Sequence, residues 1–286
     1  MKQAYGEQKD FERKTIKLIE NINVVIEEYA RQGLTLSVRQ IYYQLVARGF
    51  IPNKATEYKK ISRTITDGRL AGLIDWDCIE DRTRAVREIQ HWDNPQQILR
   101  AAAEQYRIDT RATQPSYIEA WIEKDSLVSI LQNTCYQLDV PVFSCKGYSS
   151  ITALHEAAER FEGKSNPIIL YAGDHDPTGL TIPQVINERF QLFEMNVKLK
   201  RIGLTLDQIK ELDLPPFPAK DTDGNYKKYV QDTGLTHAWE LDALPPEKLS
   251  EIFEEAINSL TDFEALRDMQ ERQNRDKSYF SELLNG

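Results

Sequence analysis

Two aspartates stand directly after a short apolar run in the middle of the chain. Residues 168–172 read I-I-L-Y-A, and Gly173, Asp174, His175 and Asp176 follow them. An apolar run of this length predicts a strand that is buried on both faces. Carboxylates one residue apart in a glycine-containing turn are oxygen ligands of the kind that Mg²⁺, or alternatively Mn²⁺, binds. The spacing therefore predicts a cation site where this strand ends. His175 is expected to point away from the two acids.

A third carboxylate, Glu123, closes an earlier predicted strand, residues 117–123. The carboxyl ends of parallel strands lie at one edge of a sheet, so Glu123, Asp174 and Asp176 are expected to converge there. Carboxylates this close raise one another's pKa unless a cation shares them. Such a cation can hold a scissile phosphate and offset charge as a P–O bond breaks. Lys124, the next residue, is expected to lie near that phosphate.

These acids are positioned by a regular alternation of strands and helices that begins at residue 116. We predict strands at 117–123, 140–145, 168–172 and 197–202, and helices at 125–138, 149–161, 183–193 and 205–212. This order predicts an α/β fold with a parallel sheet covered by helices. Residues 215–236 are expected to be rich in loops, and helices at 247–260 and 263–284 follow them.

The first part of the chain has a different pattern, with three predicted helices at 11–32, 38–48 and 56–73. Ser37 is a candidate N-cap of the second helix. The third helix is locally basic: residues 54–69 contain five lysines and arginines against two acids. Hydrophobic helices followed by a basic helix are typical of a helix-turn-helix, and the alternation in 73–84 suggests a β-hairpin wing. A small helical domain with a solvated basic face is the simpler alternative.

Composition places the chain among soluble globular proteins. The 286 residues carry a net charge of -9, which argues mildly against a nucleic-acid partner except at a local basic face. Three cysteines without C-x-x-C spacing favour a reducing, cytoplasmic setting. No run of eighteen apolar residues occurs, so we expect no membrane span.

A strand that ends in glutamate, followed by a strand that ends in Asp-x-Asp, resembles the Toprim domain of topoisomerases, primases and some nucleases. The closer resemblance is to the A subunit of topoisomerase VI and to the related meiotic double-strand-break transesterases. It rests on W-I-E-K at 121–124, K-G-Y at 146–148 and G-D-H-D-P-T-G at 173–179, and extends over roughly residues 35–205. The resemblance implies a winged-helix DNA-binding domain at 1–90, a connecting segment at 91–115, and a Toprim-like domain with C-terminal helices at 116–286.

The same resemblance implies a nucleophile. The family has a motif like K-R-D-I-Y-Y, and this chain has V-R-Q-I-Y-Y at 38–43, with departures at Val38 and Gln40. By resemblance, Tyr43 would attack a DNA phosphodiester and form a phosphotyrosyl bond. Arg39, one helical turn away, would stabilise the phosphate or the phenolate. Tyr42 is the alternative nucleophile, and both tyrosines have packing as a simpler role.

The resemblance also implies partners: double-stranded DNA, a second copy of the chain in a homodimer, and a separate ATPase subunit of the B type if strands are to be passed. The residues expected to contact DNA are Lys59, Lys60, Arg63, Lys124 and Lys146. Glu240 is a possible fourth carboxylate of the site, although an ordinary surface acid is the favoured interpretation. Two other functions stay open: a Toprim nuclease that cuts DNA by hydrolysis without a covalent intermediate, and a DNA-binding protein without catalysis.

Overall fold

The computed structural model describes residues 2–5, 10–79, 89 and 91–285, and for Ala55 and residues 281–285 it describes the backbone alone. Within these residues the protein is a mixed α/β structure with a four-stranded parallel sheet. The helices are α1 (Arg13–Ala30), α2 (Val38–Ala47), α3 (Ala55–Leu70), α4 (Pro95–Gln105), α5 (Val128–Gln137), α6 (Ile151–Phe161), α7 (Ile182–Leu192), α8 (Leu206–Glu211), α9 (Tyr226–Thr233), α10 (Pro246–Asn258) and α11 (Phe263–Asn285). The strands are β1 (Ile118–Ile122), β2 (Val142–Ser144), β3 (Ile168–Ala172), β4 (Lys198–Gly203), β5 (Phe217–Pro218) and β6 (His237–Ala238).

Helices α1, α2 and α3 enclose one hydrophobic core, which confirms the three predicted helices to within a few residues. Ser37 caps α2 as expected: its hydroxyl accepts the Gln40 backbone N–H, and the Gln40 side chain accepts the Ser37 N–H in return. Gly33, with φ of +74°, turns the chain between α1 and α2. The backbone of α2 is therefore fixed at its start, and this helix carries both Arg39 and Tyr43.

The predicted wing differs from the structure where the two can be compared. Residues 73–79 form turns, and Ile79 makes a single parallel bridge with Leu36 rather than a hairpin strand. The Arg69 guanidinium explains part of this, because it donates to the carbonyls of Trp76 and Ile79 and holds the turn against α3. The rest of the expected wing, residues 80–84, lies outside the described residues.

The parallel sheet has the order β2-β1-β3-β4. Strands β1 and β3 are the central pair, with Ile118 opposite Ile168 and Ile122 opposite Ala172. Both are buried along their whole length, as a strand covered on two faces should be. The in-register pairing brings the carboxyl ends of β1 and β3 to the same point, and the residues that follow each strand are therefore neighbours.

Two hydrophobic cores cover the two faces of the sheet. On one face, α5 and α10 pack over the strands, with Leu131 and Phe253 fully buried. On the other face, α6 and α7 surround Trp121, with Phe161 and Phe190 packed on its ring. This layered arrangement holds the strand ends rigid at the edge where the acids lie.

One charged side chain points into the second core. Glu119, on β1, is fully buried, and its carboxylate accepts four hydrogen bonds. Arg160 Nε and Nη2 donate at 3.0 Å each, Trp121 Nε1 at 2.9 Å and the Tyr117 hydroxyl at 3.0 Å. Both carboxylate oxygens are therefore satisfied, which is the usual condition for a buried charge in a stable core.

The segment 215–236 is rich in loops and turns, as expected, but it also holds two short elements that were not predicted. It contains β5 and α9, and β5 pairs with β6 to form a short antiparallel ribbon. Tyr229 anchors α9, because its ring is buried and its hydroxyl donates to the His237 carbonyl at 2.6 Å. The prolines and the D-T-D-G turn of this segment masked the short helix in the sequence pattern.

The connecting segment expected at 91–115 contains α4, which packs against α11. The Tyr106 hydroxyl donates to Asp276 at 3.0 Å, and the Ile108 backbone N–H donates to the Gln273 side chain at 3.0 Å. None of the helices in the described part of the chain is long and apolar enough to cross a membrane.

Candidate active site

The site lies at the carboxyl edge of the parallel sheet, where Glu123 follows β1 and Asp174 follows β3. The Asp174 backbone N–H donates to Glu123 Oε2 at 2.9 Å, and the Tyr171 hydroxyl donates to the same oxygen at 3.4 Å. The expected meeting of Glu123 and Asp174 at one edge of the sheet is therefore present. It follows from the in-register pairing of two parallel strands.

Two glycines let the acidic loop approach the sheet closely. A Cβ atom on Gly173 would lie 2.6 Å from Glu123 Oε2, and one on Gly179 would collide with the Asp174 carbonyl. Both approaches are much closer than an ordinary carbon–oxygen contact. Neither glycine can therefore be replaced by a residue with a side chain unless the acidic loop moves. Asp176 is held in the same loop, because its Oδ1 accepts the Gly179 backbone N–H at 2.6 Å.

Arg201, on β4, ties the acidic loop to the sheet from the opposite side. Its guanidinium donates to the carbonyls of Gly173 at 2.8 Å, Asp174 at 2.7 Å and Gly179 at 2.9 Å. Burial is the largest influence on its pKa and lowers it, although Tyr171 and the nearby acids act in the opposite direction. The sequence offered no signal for Arg201, because it lies in an edge strand among other basic residues.

A second acidic segment, residues 239–242, completes the site. His175 and Trp239 form an antiparallel bridge with two backbone hydrogen bonds, of 2.8 and 3.0 Å. The Leu241 N–H then donates to Asp174 Oδ1 at 2.7 Å. The bridge places Glu240 and Asp242 beside the acidic loop, so Glu240 is not the ordinary surface acid that the sequence favoured.

His175 packs against aromatic rings, in agreement with the expectation that its side chain points away from the two acids. Its side chain is buried between the Tyr229 and Trp239 rings, and its Nδ1 lies 3.3 Å from the Tyr229 hydroxyl. Burial lowers its pKa, so the ring is held neutral. This position is away from the carboxylates of Asp174 and Asp176.

Lys124 lies inside the acidic cluster. Its Nζ is 2.9 Å from Asp174 Oδ1, 2.6 Å from Glu240 Oε2 and 2.7 Å from Asp242 Oδ2, and only 13% of its side chain is exposed. Burial alone would lower its pKa, but the three carboxylates outweigh that effect and raise it well above the usual value. The ammonium group is therefore an internal counter-ion of this cluster.

Helix α2 reaches the same cluster from the N-terminal region. Arg39 Nη2 is 2.7 Å from Glu240 Oε2, and Arg39 Nε is 3.6 Å from Asp242 Oδ2. The Tyr43 ring lies beneath both cations, 5.9 Å from the Arg39 guanidinium carbon and 6.0 Å from Lys124 Nζ. Arg39 and Tyr43 are thus brought to the acidic cluster, although about 200 positions separate Arg39 from Glu240.

The protonation of the site follows from burial and charge. Burial raises the pKa of Glu123 and Asp174 and, with Asp223 and Glu240 nearby, that of Asp176. Burial would also raise the pKa of Glu240, but Lys124 and Arg39 outweigh it and lower the pKa to about 2.

The phenol of Tyr43 is held in its protonated form in this arrangement. Burial raises its pKa, and the Glu240 carboxylate, which also interacts with the hydroxyl, raises it further against the opposing effect of Lys124 and Arg39. The Tyr43 side chain is also largely hidden from solvent. A nucleophilic role would therefore require that Glu240 and Tyr43 separate.

Tyr42 and Tyr43 have different surroundings. The Tyr42 hydroxyl donates to Asn53 Oδ1 at 2.9 Å and to the Lys54 carbonyl at 3.2 Å. Because these two residues directly precede α3, Tyr42 links α2 to the start of α3. Its ring contacts the Tyr58 ring edge to face. Tyr43 is the one of this pair that contacts the cations of the site.

The donor set suits a hard cation, because the side chains that converge on the edge are carboxylates. Asp242 Oδ1 is buried and accepts no hydrogen bond from the described residues, which marks unused ligand capacity. In the arrangement present, however, the described residues contain no group of three or more acidic, histidine or cysteine side chains disposed as metal ligands. The Lys124 ammonium lies where Asp174, Glu240 and Asp242 meet. The residues therefore supply oxygen donors of the kind that a hard cation binds, but in this arrangement the Lys124 ammonium is their counter-ion.

The remaining residues expected to contact DNA are exposed. Lys59, Lys60 and Arg63 lie on α3; Lys60 pairs weakly with Glu57 at 3.5 Å. Lys146 lies in the tight turn after β2, 3.5 Å from Asp125. Lys124, in contrast, faces the interior of the acidic cluster and not the surface.

Comparison of the chain with protein-family models, with curated proteins and with solved structures finds no significant match in any of the three.

Proposed function

We propose that this protein is a Mg²⁺-dependent DNA-cleaving enzyme that uses Tyr43 as its nucleophile, in the manner of the topoisomerase VI A subunit. In this proposal α1–α3 serve as a winged-helix-like DNA-binding unit and the parallel sheet serves as a Toprim-like domain. Mn²⁺ is the alternative ion. One observation carries the proposal: α2 places Arg39 against Glu240 and Asp242, and it places Tyr43 beside Lys124, whose ammonium also contacts Asp174 at the end of β3.

In the proposed reaction the Tyr43 oxygen attacks a backbone phosphorus atom. The P–O bond to the 3′ oxygen breaks, a phosphotyrosyl ester forms with the 5′ phosphate, and the 3′ oxygen leaves as a hydroxyl. The proton that the phenol loses is matched by the one that the 3′ oxygen gains, so no further reactant is consumed. The ester keeps the energy of the original bond, and the reverse attack can reseal the strand.

The chain's own residues have distinct tasks in this step. Arg39 binds the phosphate, which must first displace Glu240 from the guanidinium. That displacement also removes the carboxylate that holds the Tyr43 proton in place. Arg201 and the two loop glycines keep Asp174 and Asp176 at a fixed distance from the sheet.

Glu123, Asp174 and Asp176 are the residues that would hold the cation, with Glu240 and Asp242 as further carboxylates beside them. When bound, a divalent cation supplies positive charge to the phosphate and to the leaving oxygen. Double-stranded DNA is the proposed substrate, approached through Lys59, Lys60, Arg63 and Lys146. A separate ATPase subunit is proposed only for a reaction that passes strands.

The proposal is tested by incubating the protein with supercoiled plasmid and Mg²⁺, stopping the reaction with detergent, and running gels with and without protease. We expect linear or nicked DNA that enters the gel only after protease digestion, because the protein is covalently attached. Tyr43→Phe should abolish both the cut and the adduct, whereas Tyr42→Phe, the matched control, should keep both. Cleavage that persists in Tyr43→Phe would overturn the tyrosine mechanism.

The proposed homodimer has its own test. By the family resemblance, the tyrosine of one protomer would act with the acids of the other, yet here Tyr43 contacts the cluster of its own chain. Mixing Tyr43→Phe protein with Asp174→Asn protein decides between the two arrangements. Restored cleavage in the mixture would mean that residues act across a dimer, while its absence, with each variant folded, would mean that a single chain provides both.

A second candidate function is hydrolytic cleavage by a Toprim nuclease. The observation that favours it is the burial of Tyr43, which is only 8% exposed and is typical of a packing residue. In that case water replaces the phenol as nucleophile, and α2 serves to position Arg39 and the DNA. The same gels separate the two functions, because hydrolysis leaves no protein on the DNA and tolerates Tyr43→Phe.

A further inference from the structure

We propose that the groove between α2, α3 and β5 is a nucleotide pocket that receives one unpaired base of the strand to be cut. The groove has a volume of about 440 Å³ and leads to Arg39 and Tyr43. Its other walls are formed by Tyr42, Tyr58, Phe217, Lys54 and Lys59. This inference rests on the proposed function and narrows its substrate to DNA with an unstacked nucleotide at the cleavage site.

Aromatic rings dominate the walls of this groove. Tyr42 meets Tyr58 edge to face, with 5.6 Å between ring centres and an angle of 89°, and it meets Tyr43 at 5.0 Å and 71°. Tyr58 is partly exposed at 38%, and Phe217, on the far wall, is half-buried. Partly exposed rings around a cleft are platforms on which a base can stack.

The charges of the groove suit the phosphate of a nucleotide. Lys54 and Lys59 are exposed at its mouth, and 48% of the Arg39 side chain remains exposed at its inner end. Glu240 is the acid among the described lining residues, and its charge is offset by Arg39 at 2.7 Å and Lys124 at 2.6 Å. The groove therefore presents excess positive charge around an aromatic centre, which matches an anionic, aromatic ligand.

The size of the groove excludes a stacked duplex. A volume of about 440 Å³ lies in the range of small-molecule pockets and holds a single nucleotide. A base must therefore leave its helix to enter, which costs free energy in paired DNA and almost none in a single strand. Single-stranded, gapped or frayed DNA should consequently bind more tightly than an intact duplex.

The position of the groove relates this base to the chemistry. Arg39 lines the groove and also contacts Glu240 and Asp242 of the acidic cluster. A base held on Tyr58 would have its phosphate at the end where Arg39 and Tyr43 lie. The pocket would then select the phosphodiester to be attacked by fixing the neighbouring nucleotide.

The test uses DNA that carries 2-aminopurine at one position, a base whose fluorescence is quenched when it stacks on an aromatic ring. Binding is measured in EDTA with Tyr43→Phe protein, so that neither metal nor cleavage is involved. We expect the single strand to bind at least about 10-fold more tightly than the matching duplex and to be quenched. Tyr58→Ala should weaken single-strand binding about 5- to 100-fold and remove the quenching.

Tyr279→Ala is the matched control, since Tyr279 is an exposed tyrosine on α11, outside the groove. Equal affinity for single strand and duplex, or a Tyr58→Ala protein that behaves like Tyr279→Ala, would overturn the pocket. If the binding experiment fails but the plasmid gel shows a protein–DNA adduct, the nucleotide pocket is wrong and the proposed function is retained. Base binding without any DNA cleavage would instead support the nucleotide pocket and contradict the proposed enzymatic function.

Discussion

Two buried charged clusters start from the same strand, and they differ in how well they are satisfied. The carboxylate of Glu119, the second residue of β1, accepts four hydrogen bonds from Tyr117, Trp121 and Arg160, so both oxygens are used. At the end of β1, the Lys124 ammonium is shared by three carboxylates, with Glu123 close by. The first cluster is balanced, and the second holds more negative than positive charge.

This difference separates a structural charged cluster from a candidate functional one. A balanced cluster stabilises a single packing arrangement and has no spare capacity for a ligand. In the second cluster burial raises the pKa of Glu123 and Asp174, and Asp242 Oδ1 accepts no hydrogen bond from the described residues, so this cluster keeps oxygen donors that the proposed cation would use. We therefore expect substitutions in the two clusters to have opposite consequences for stability and activity.

The largest expected effect is that of Asp174→Asn on activity. The variant keeps an oxygen for the Leu241 N–H but loses the charge, so we expect plasmid cleavage to fall about 1,000-fold, or about 4 kcal/mol in the barrier. Its melting temperature without metal should stay close to that of the wild type, because one of several crowded charges has been removed. Near-normal cleavage by a folded Asp174→Asn protein would place the chemistry elsewhere.

Glu119→Gln should have the opposite effect: it should lower the stability of the protein and leave its activity unchanged. The amide cannot accept four hydrogen bonds, and Arg160 loses its ionic partner, although 40% of the Arg160 side chain can still be hydrated. We expect a loss of about 2–3 kcal/mol in the free energy of unfolding, measured with urea. Cleavage per folded molecule should be unchanged, and a specific loss of activity would mean that the two clusters are coupled.

Mg²⁺ should stabilise the protein through the acidic cluster around Lys124, and not through the Glu119 cluster. At 100 times its dissociation constant the ion should add about 2.7 kcal/mol to the free energy of unfolding. The thermal shift should survive in Glu119→Gln and vanish in Asp174→Asn, as followed by calorimetry with and without the ion. An equal shift in both variants would indicate a metal site outside the cluster.

Glu240→Gln should have a smaller effect, on the attachment of α2. It removes the charge that joins Arg39 to Lys124, while Asp242 remains next to both cations. We expect the free energy of unfolding to fall by about 1 kcal/mol. Glu251→Gln, in an exposed pair with Lys248, is the control and should show no measurable change.

The smallest expected effect is that of Lys146→Ala, at the exposed turn beside the site. Stability should not change measurably, because its ion pair with Asp125 is solvated. If Lys146 contacts a DNA phosphate, the slope of log affinity against log salt concentration should become shallower by about 1. An unchanged slope would mean that Lys146 does not contact the DNA backbone.

Much of the fold could be predicted from local pattern. Strand β3 was predicted with the same bounds, and the parallel arrangement followed from the strand–helix alternation. The meeting of Glu123 and Asp174 followed from the same rule, since parallel strands align their carboxyl ends. These features are encoded within short windows of sequence, or in the order of such windows.

The rest of the site depends on contacts that no local pattern encodes. Glu240 and Asp242 enter through the bridge between His175 and Trp239, which joins segments more than 60 residues apart. Arg201 acts through backbone carbonyls, which carry no sequence signal. Lys124 was expected near DNA, and its inward position became visible only with the acids that surround it. The metal, DNA and dimer partners stay predictions.

The bridge between His175 and Trp239 also decides where this protein can be divided. A fragment that stops after β4 would retain all four strands of the parallel sheet and would look like a complete unit by its secondary structure. It would nevertheless lack the two backbone hydrogen bonds and the Leu241 N–H that hold the Asp174 loop. Domain boundaries drawn from the sheet alone would therefore cut through the site, and any chimera that borrows it must carry the segment up to residue 244.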